Sequence, residues 1–217
     1  MTDSAPSPDA KPRSPAAQRI LREAMRLFAE RGYERTTIAD IQAAVGLAPG
    51  SGALYKHFPS KEAVLAAGLD EFMAGAERAR ELIRTVPGAA GEALGTLGHA
   101  ALRMLEDDRD VLRIVYRELD AFPALRDEVR VRRMQATYAT LADWLRDRAA
   151  RGELRVDDPQ ATAAVVLGAV TSFRVFQVLL GEPPAQVDED RFVRAWLRVM
   201  LHGMGVDAAA ADSGDPD

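Results

Sequence analysis

The chain has 217 residues, 47% of them hydrophobic, and is therefore long enough to bury a core of its own. It has no cysteine, which excludes a disulfide framework and a thiolate metal site and favours a reducing, cytoplasmic setting. The net charge of −5 by itself argues against a nucleic-acid partner, because a protein binds that polyanion by neutralising its phosphates.

The chain begins with a polar tail followed by an amphipathic helix. Residues 1–16 are rich in Pro, Ser and Ala and hold no apolar stretch, so we expect a disordered tail and neither a signal peptide nor a membrane anchor. Residues 17–31 are predicted to form a helix, with Gly32 as its left-handed C-cap. Its apolar side chains recur at helical spacing at Ile20, Ala24, Leu27 and Phe28.

A second, short helix is predicted directly after Thr37. This residue is well placed to cap the helix N-terminus, with Asp40 three residues later, and Gly46 ends the helix. The buried stripe consists of Ile38, Ile41 and Val45.

A third short helix is predicted within residues 51–58, after a turn that contains Pro49 and Gly50. One or two helical turns would place Leu54 and Phe58 on the same face, and Pro59 then ends the helix.

Longer helices follow the three short ones. Ser60 is predicted to cap a helix that continues to about Arg84, and further helices are predicted at about 89–106, 109–119, 123–151, 158–180 and 189–204. No strand pattern competes with them. We therefore expect an all-α fold, in which a three-helix head over 17–63 joins a larger helical ligand-binding and dimerisation domain over 64–206, with a disordered tail over 207–217.

The head has the arrangement of a helix-turn-helix, in which a second short helix enters the major groove of DNA. Its charge agrees with this interpretation, because residues 11–61 hold nine basic and four acidic side chains while the rest of the chain carries −10. A basic head on an acidic body is typical of a DNA-binding regulator. A solvated charged helix face explains the charge alone equally well.

Residues at the start of the second helix of such a unit approach the base edges most closely. Here they are small, namely Ser51, Gly52 and Ala53. Lys56 is long enough to reach a guanine edge or a phosphate. The other donors of this segment suit phosphate oxygens: Tyr55, His57 and Lys61.

Two segments of the head resemble the DNA-binding head of the TetR family of bacterial repressors. They are residues 37–41 (TIADI) and 54–62 (LYKHFPSKE), and the resemblance covers residues 19 to about 65. It implies that the DNA backbone is held by Thr37, Tyr55, His57 and Lys61, and that bases are faced by Ser51, Gly52, Ala53 and Lys56. The chain departs from the family pattern at one point, since the turn between Gly46 and Leu54 is longer and richer in Pro and Gly.

The body contains a helix that is apolar nearly all round, at residues 161–181. Polar side chains, including Arg174, interrupt it, so we interpret it as a buried helix of a soluble protein. Such a helix requires burial on more than one side, which a partner subunit would supply. The last helix is predicted to join it in a four-helix interface of a homodimer, through a stripe of Phe192, Trp196, Val199 and Met200.

Polar and aromatic side chains of the body are candidates for a small-molecule pocket, because such pockets are mostly apolar with a few polar groups. The candidates are His99, Tyr116, Tyr138, Trp144, Arg174 and Gln177. For any single one of them, a place in the core or on the surface is the alternative. No histidine has a partner at metal-ligand spacing, so we expect no metal site.

The sequence holds no motif of a phosphate loop, a dinucleotide fold, a nucleophile elbow or a zinc helix, and we expect neither an enzyme nor a cofactor. The expected protein is a dimeric repressor that binds a palindromic site in double-stranded DNA and is released by a partly apolar small molecule, without a membrane partner. Two alternatives remain open: a transcriptional activator of the same fold, and a helical ligand-binding or adaptor protein that does not bind DNA.

Overall fold

A computed structural model describes residues 13–48, 52–118 and 123–206. All regular structure within these residues is helical, which confirms the predicted fold class. The chain forms two compact units, one through Leu69 and the other from Asp70 onward. The predicted tails lie outside the described residues, with the exception of residues 13–16. Residues 13 and 14 precede the first helix and residues 15 and 16 belong to it, so the predicted N-terminal tail is too long at this end.

The first unit contains three short elements and the start of a long helix. They are α1 (Pro15–Arg31), α2 (Ile38–Ala44), a 3-10 turn (Leu54–Lys56) and α3 (Lys61–Thr85). α1 begins two residues earlier than predicted, because the Ser14 hydroxyl accepts a hydrogen bond from the backbone N–H of Ala17. Gly32 ends α1 with φ 89° and ψ 152°, a conformation open to glycine but not the left-handed helical cap that we predicted.

Apolar side chains of all these elements form the core of the first unit. The periodicity predicted for α1 is present, and five of the core residues are nearly inaccessible to solvent: Ile20, Phe28, Ile41, Leu54 and Val64. Because these side chains come from α1, α2, the 3-10 turn and α3, their burial fixes the short elements on one another.

The second unit is built from the rest of α3 and six further α-helices of the described chain. They are α4 (Ala90–Asp107), α5 (Arg109–Glu118), α6 (Pro123–Glu128), α7 (Ala136–Ala150), α8 (Pro159–Leu180) and α9 (Glu189–Gly203). α8 starts at Pro159 after an Asp158 cap and ends at Gly181, which is left-handed helical. α9 starts after an Asp188 cap.

The helix predicted over 123–151 is interrupted by a π-helical segment, Val129–Gln135, which separates α6 from α7. We predicted one continuous helix, because the sequence has neither Gly nor Pro at this point. A π-helical segment inserts a residue into the i→i−4 hydrogen-bond pattern and is often found beside functional sites.

Two buried arginines connect segments of the second unit that are distant or separate along the chain. Arg148 of α7 donates hydrogen bonds to the carbonyl oxygen of Gly88 at 2.8 Å and to the carboxylate of Glu153 at 2.7 Å. Arg174 of α8 pairs with Glu106 of α4 at 2.9 Å and also with Glu189 of α9. Burying these guanidinium groups is tolerated because each has a carboxylate partner.

α8 is long and apolar enough to cross a membrane by length and composition alone, and 33% of that stretch is buried within the protein. One face packs in the core through Ala163, Val166, Val170 and Phe173, and Arg174 is buried beside them. The packed face accounts for part of the apolar pattern, and the exposed apolar side chains of α8 are described below.

Candidate functional site

The N-terminus of α2 is fixed by a reciprocal pair of hydrogen bonds. The Thr37 hydroxyl accepts from the backbone N–H of Asp40 at 3.2 Å, and the Asp40 carboxylate accepts from the backbone N–H of Thr37 at 2.8 Å. The Thr37 hydroxyl also donates to that carboxylate at 2.6 Å. These bonds from Thr37 hold the pKa of Asp40 below its ordinary value. The structure therefore gives Thr37 a capping role, and its contact with a DNA phosphate stays a prediction.

The segment predicted as the third short helix is a single 3-10 turn, Leu54–Lys56. It does not extend backwards as a helix, because Gly52 has φ +65°. The prediction of one or two helical turns over 51–58 is therefore wrong in extent. Gly52 and Ala53 are half-buried and precede the turn, whereas Ser51 lies outside the described residues.

The 3-10 turn is anchored by two buried side chains and exposes the three between them. Leu54 is fully buried, Phe58 is 5% exposed, and the Leu54 carbonyl accepts hydrogen bonds from the backbone N–H groups of His57 and Phe58. Tyr55, Lys56 and His57 are consequently exposed. A short rigid element thus presents a phenol, an ammonium group and an imidazole side by side, which are donors suited to phosphate oxygens and base edges.

Lys61, predicted to hold the DNA backbone, makes two contacts inside the first unit. Its ammonium group donates to the carbonyl oxygen of Tyr33 at 3.0 Å and lies 4.2 Å from the centre of the Tyr33 ring. Burial and the charge of Glu62 raise the pKa of Tyr33 to about 12, so this phenol is neutral. Lys61 braces the start of α3 against the end of α1, and its phosphate contact stays a prediction.

The second unit encloses a cavity of about 420 Å³. Twenty of its 26 lining residues are apolar and come from α3, α4, α5, α7, α8, α9 and the π-helical segment. Two of the six candidate pocket residues line it, Tyr116 and Tyr138. Burial raises the pKa of both phenols, and the nearby Tyr138 raises that of Tyr116 further.

The other four candidates do not line this cavity. His99 is exposed, with Nδ1 at 3.0 Å from the Gly95 carbonyl oxygen. Trp144 is buried in the core and stacks against the Arg148 guanidinium, and Arg174 is held by its two carboxylates. The side-chain oxygen of Gln177 is buried without a hydrogen-bond partner in the described part of the chain. Their positions in the structure therefore make these four residues core or surface residues and not residues of this cavity.

The sequence interpretation missed two prominent residues of the cavity, Arg133 and Trp196. Arg133 stands in a run of arginines that is typical of a solvated helix face, yet it is mostly buried. Its guanidinium lies 3.4 Å from the centre of the Phe72 ring and 2.7 Å from the Asp108 carboxylate. Burial raises the pKa of Asp108, although Arg133 opposes that shift.

Trp196 belongs to the stripe of the last helix that we predict to join the dimer interface, and for this side chain the prediction is wrong, because Trp196 is buried within its own subunit. Trp196 is 5% exposed, and its indole N–H donates to the carbonyl oxygen of Val166 at 3.3 Å. Phe192 stacks on Phe173 with ring centres 4.1 Å apart. Gly98 lies against the same ring, where an added side chain would meet Trp196.

A second apolar surface remains exposed on α8 and α9. Val199, the one member of the predicted stripe that is exposed, lies on α9 and is 63% exposed. On α8 four large apolar side chains are exposed, and their positions place them on one side of the helix: Val165, Phe176, Leu179 and Leu180. Exposed apolar patches of this kind mark interaction surfaces.

Two family profiles match the chain. One, described as bacterial regulatory proteins of the tetR family, matches residues 20–67, which include α2 and the 3-10 turn. The other, described as the C-terminal domain of AefR-like transcriptional repressors, matches residues 92–203, which is half of the chain.

Individual relatives agree with these profiles. The HTH-type transcriptional repressor KstR2 of Rhodococcus jostii is 41% identical over 70 residues, 32% of this chain and 31% of that protein. The chain spans less than a third of the length of the curated relatives it matches. Among solved structures, a transcriptional regulator from Saccharomonospora viridis in complex with choline is 27% identical, covers 86% of this chain and 95% of its own, and has a TM-score of 0.68. The regulator PfmR from Thermus thermophilus is 27% identical, covers 85% and 97%, and has a TM-score of 0.62.

Proposed function

Because the chain belongs to the TetR family of bacterial transcriptional regulators, we propose that it is a cytoplasmic, dimeric repressor. It binds a palindromic operator in double-stranded DNA and leaves it when a small-molecule effector binds the second unit. The observation that carries the proposal is the 3-10 turn Leu54–Lys56, which has a buried anchor at each side and three exposed donors between them.

The proposed DNA contacts divide into two kinds. Tyr55, His57, Thr37 and Lys61 hold phosphate oxygens and fix the position of the head on the duplex. Lys56 reaches a base edge, and the small residues Ser51, Gly52 and Ala53 permit a close approach to the groove. The exposure of Tyr55, Lys56 and His57 supports these roles.

A dimer is proposed because the element that reads DNA, the 3-10 turn Leu54–Lys56, is small. One 3-10 turn reads too few base pairs to identify a site in a genome, whereas two turns about 34 to 36 Å apart read both halves of a palindrome. The exposed apolar side chains of α8 and α9 support an interface there, because a symmetric dimer buries the same patch of both subunits.

The effector step is proposed to act through α3. This helix begins at Lys61 in the first unit, and later residues of the same helix, from Phe72 to Ile83, line the cavity of the second unit. An effector that changes the packing of the cavity wall thereby acts on the helix that carries the head, and a changed separation of the two heads ends operator binding.

Operator binding is tested by fluorescence anisotropy with the DNA upstream of the protein's own gene, at several salt concentrations. Lys56→Ala is expected to weaken binding by about 1–3 kcal/mol and relax the sequence preference, while Tyr55→Phe weakens all sequences alike. Arg146→Ala, a change of an exposed arginine of α7, is the control and leaves the affinity unchanged. Equal affinity of the Lys56→Ala variant and the unmodified protein contradicts the proposed reading element.

A further inference from the structure

We propose that the cavity of the second unit binds an uncharged, predominantly apolar molecule and discriminates against ions of either sign. This inference rests on the proposed function for the role of that molecule, which acts as the effector. It is carried by the apolar lining of the cavity, by the partners of the charged residues in its wall and by its volume.

The wall of the cavity is apolar over most of its extent. α3 and α4 contribute only apolar residues to it, and the residues of α8 that line it are apolar apart from Thr171. Several of these side chains are almost inaccessible to solvent, among them Leu94, Val166 and Val170. A ligand gains free energy at such a wall by burying apolar surface, whereas an ion loses its hydration there and gains no partner.

One of the two charged residues in the wall, Arg133, is already compensated by the protein. Its guanidinium forms an ion pair with the carboxylate of Asp108, with nitrogen and oxygen 2.7 Å apart, and both side chains are mostly buried. It also donates a hydrogen bond to the carbonyl oxygen of Phe72 and stacks on the ring of that residue. Because the pair as a whole is neutral, Arg133 offers no unpaired charge to an anionic ligand.

The other charged residue in the wall, Arg117, is exposed and has an interaction partner within the chain. Water and this partner solvate its charge, so a ligand anion inside the cavity gains little from it. No aspartate or glutamate is among the lining residues of the described chain, and a ligand cation therefore finds no carboxylate in the wall. The cavity thus has a compensating charge for neither kind of ion.

The remaining polar residues of the wall carry hydroxyl groups: Tyr116, Thr137, Tyr138 and Thr171. Burial raises the pKa of both tyrosines, so their phenols stay protonated and uncharged at neutral pH. A hydroxyl group can donate or accept a hydrogen bond, which suits an uncharged oxygen such as that of an alcohol, a ketone or an ether. The wall therefore accommodates a weakly polar group on a ligand that is otherwise apolar.

The size of the cavity suits a compact organic molecule. Its volume of about 420 Å³ lies within the range of about 300–1,000 Å³ that is usual for small-molecule sites. Tyr116 and Met134 line the cavity and are 51% and 48% exposed, so the cavity reaches the protein surface at these two side chains. A small ring system can therefore enter from solvent and be largely enclosed.

The proposal is tested by competition on the full chain. The reporter is N-phenyl-1-naphthylamine, an uncharged aromatic amine whose emission rises in an apolar environment. Three competitors share a naphthalene ring and differ in one substituent: a neutral hydroxymethyl group, a carboxylate, or an aminomethyl group that is a cation at neutral pH. We expect the hydroxymethyl compound to bind at least about tenfold more tightly than either ion, because burying an unpaired charge is costly.

Variants show whether these probes bind in the cavity. Ala79 of α3 lines the cavity and is half-buried, so Ala79→Leu fills part of the space and is expected to weaken the reporter and the hydroxymethyl compound at least about fivefold. Ala101→Leu repeats the test from the α4 side of the wall. Ala74→Leu is the matched control and keeps both affinities, because it is the same substitution at an exposed position of α3 that is not in the wall. Thermal unfolding of each variant shows whether it remains folded.

An ion that binds as tightly as the hydroxymethyl compound, no binding of any probe, or unchanged affinities in both Ala79→Leu and Ala101→Leu overturns this inference. In those cases operator binding in the anisotropy assay is unaffected, and the proposed function stands. If the hydroxymethyl compound binds with the expected preference but the protein binds no DNA, the ligand class of the cavity is supported and the proposed function fails instead.

Discussion

Replacing Phe176 with alanine tests the proposed dimer interface most directly. This side chain lies on the outer face of α8 and is 47% exposed, so about half of its surface is still available for burial by a partner. Full burial of a phenylalanine side chain stabilises by about 1.5–3 kcal/mol, and the exposed half accounts for about 1 kcal/mol of this. A two-fold symmetric interface contains the residue twice, so Phe176→Ala is expected to cost about 2 kcal/mol per dimer. This corresponds to a dimer Kd raised about 30-fold.

The assay is sedimentation equilibrium over a hundredfold range of protein concentration. Val131→Ala is a matched control, because Val131 is 46% exposed on the π-helical segment, away from α8 and α9 in the sequence. We expect this variant to dimerise like the unmodified protein. A monomeric unmodified protein at micromolar concentration, or equal dimer Kd values for Phe176→Ala and Val131→Ala, would refute the assignment of the interface to this surface.

Three further changes test local features of the two units. Thr37→Ala removes the cap of α2 and is expected to lower the free energy of unfolding by about 1 kcal/mol, measured by urea titration; an unchanged midpoint contradicts the capping role. Asp40 has a pKa below its ordinary value because of its bonds to Thr37, so its contribution is present above the unfolded-state pKa of about 3.9 and is lost as the pH falls through the lower folded-state value. The stability difference between the unmodified protein and Asp40→Ala should therefore disappear on acidification below pH 4, and a difference that grows there would reverse the sign of this argument. Gly98→Ala places a methyl group 2.6 Å from the ring of Trp196 and is expected to cost about 1–3 kcal/mol and to change the tryptophan emission; a variant of full stability with unchanged emission would contradict the close contact.

The elements of the head were predictable because their signals are local. Thr37 caps α2 and Ser60 caps α3 through hydrogen bonds to residues three positions later, at Asp40 and Ala63. Such bonds depend on residue type and spacing, both of which can be read from the chain. The 3-10 form of the turn at Leu54 was not predictable in the same way, because the turn is held by packing of Leu54 and Phe58 into a core from other helices.

The residues that line the cavity were much harder to predict, as three of the candidates show. Tyr116 and Tyr138 were recognised as candidates, but so was Arg174, whose partner Glu106 is 68 residues away along the chain. The pattern of α8 gives Arg174 a position on the helix, and only the neighbouring helices decide whether that position meets a carboxylate, a cavity or solvent.

The amino-acid sequence by itself determined that the chain is all-helical and that the helices of the head begin at capping residues and end near glycines. This was possible because helix periodicity and capping act over three or four residues. The tertiary structure alone decided that Arg133 and Trp196 face the cavity and that Phe176 and Val199 remain exposed. It also placed the π-helical segment in the cavity wall. The physical reason is that burial depends on which helix faces overlap, and that overlap is set by contacts between residues far apart along the chain.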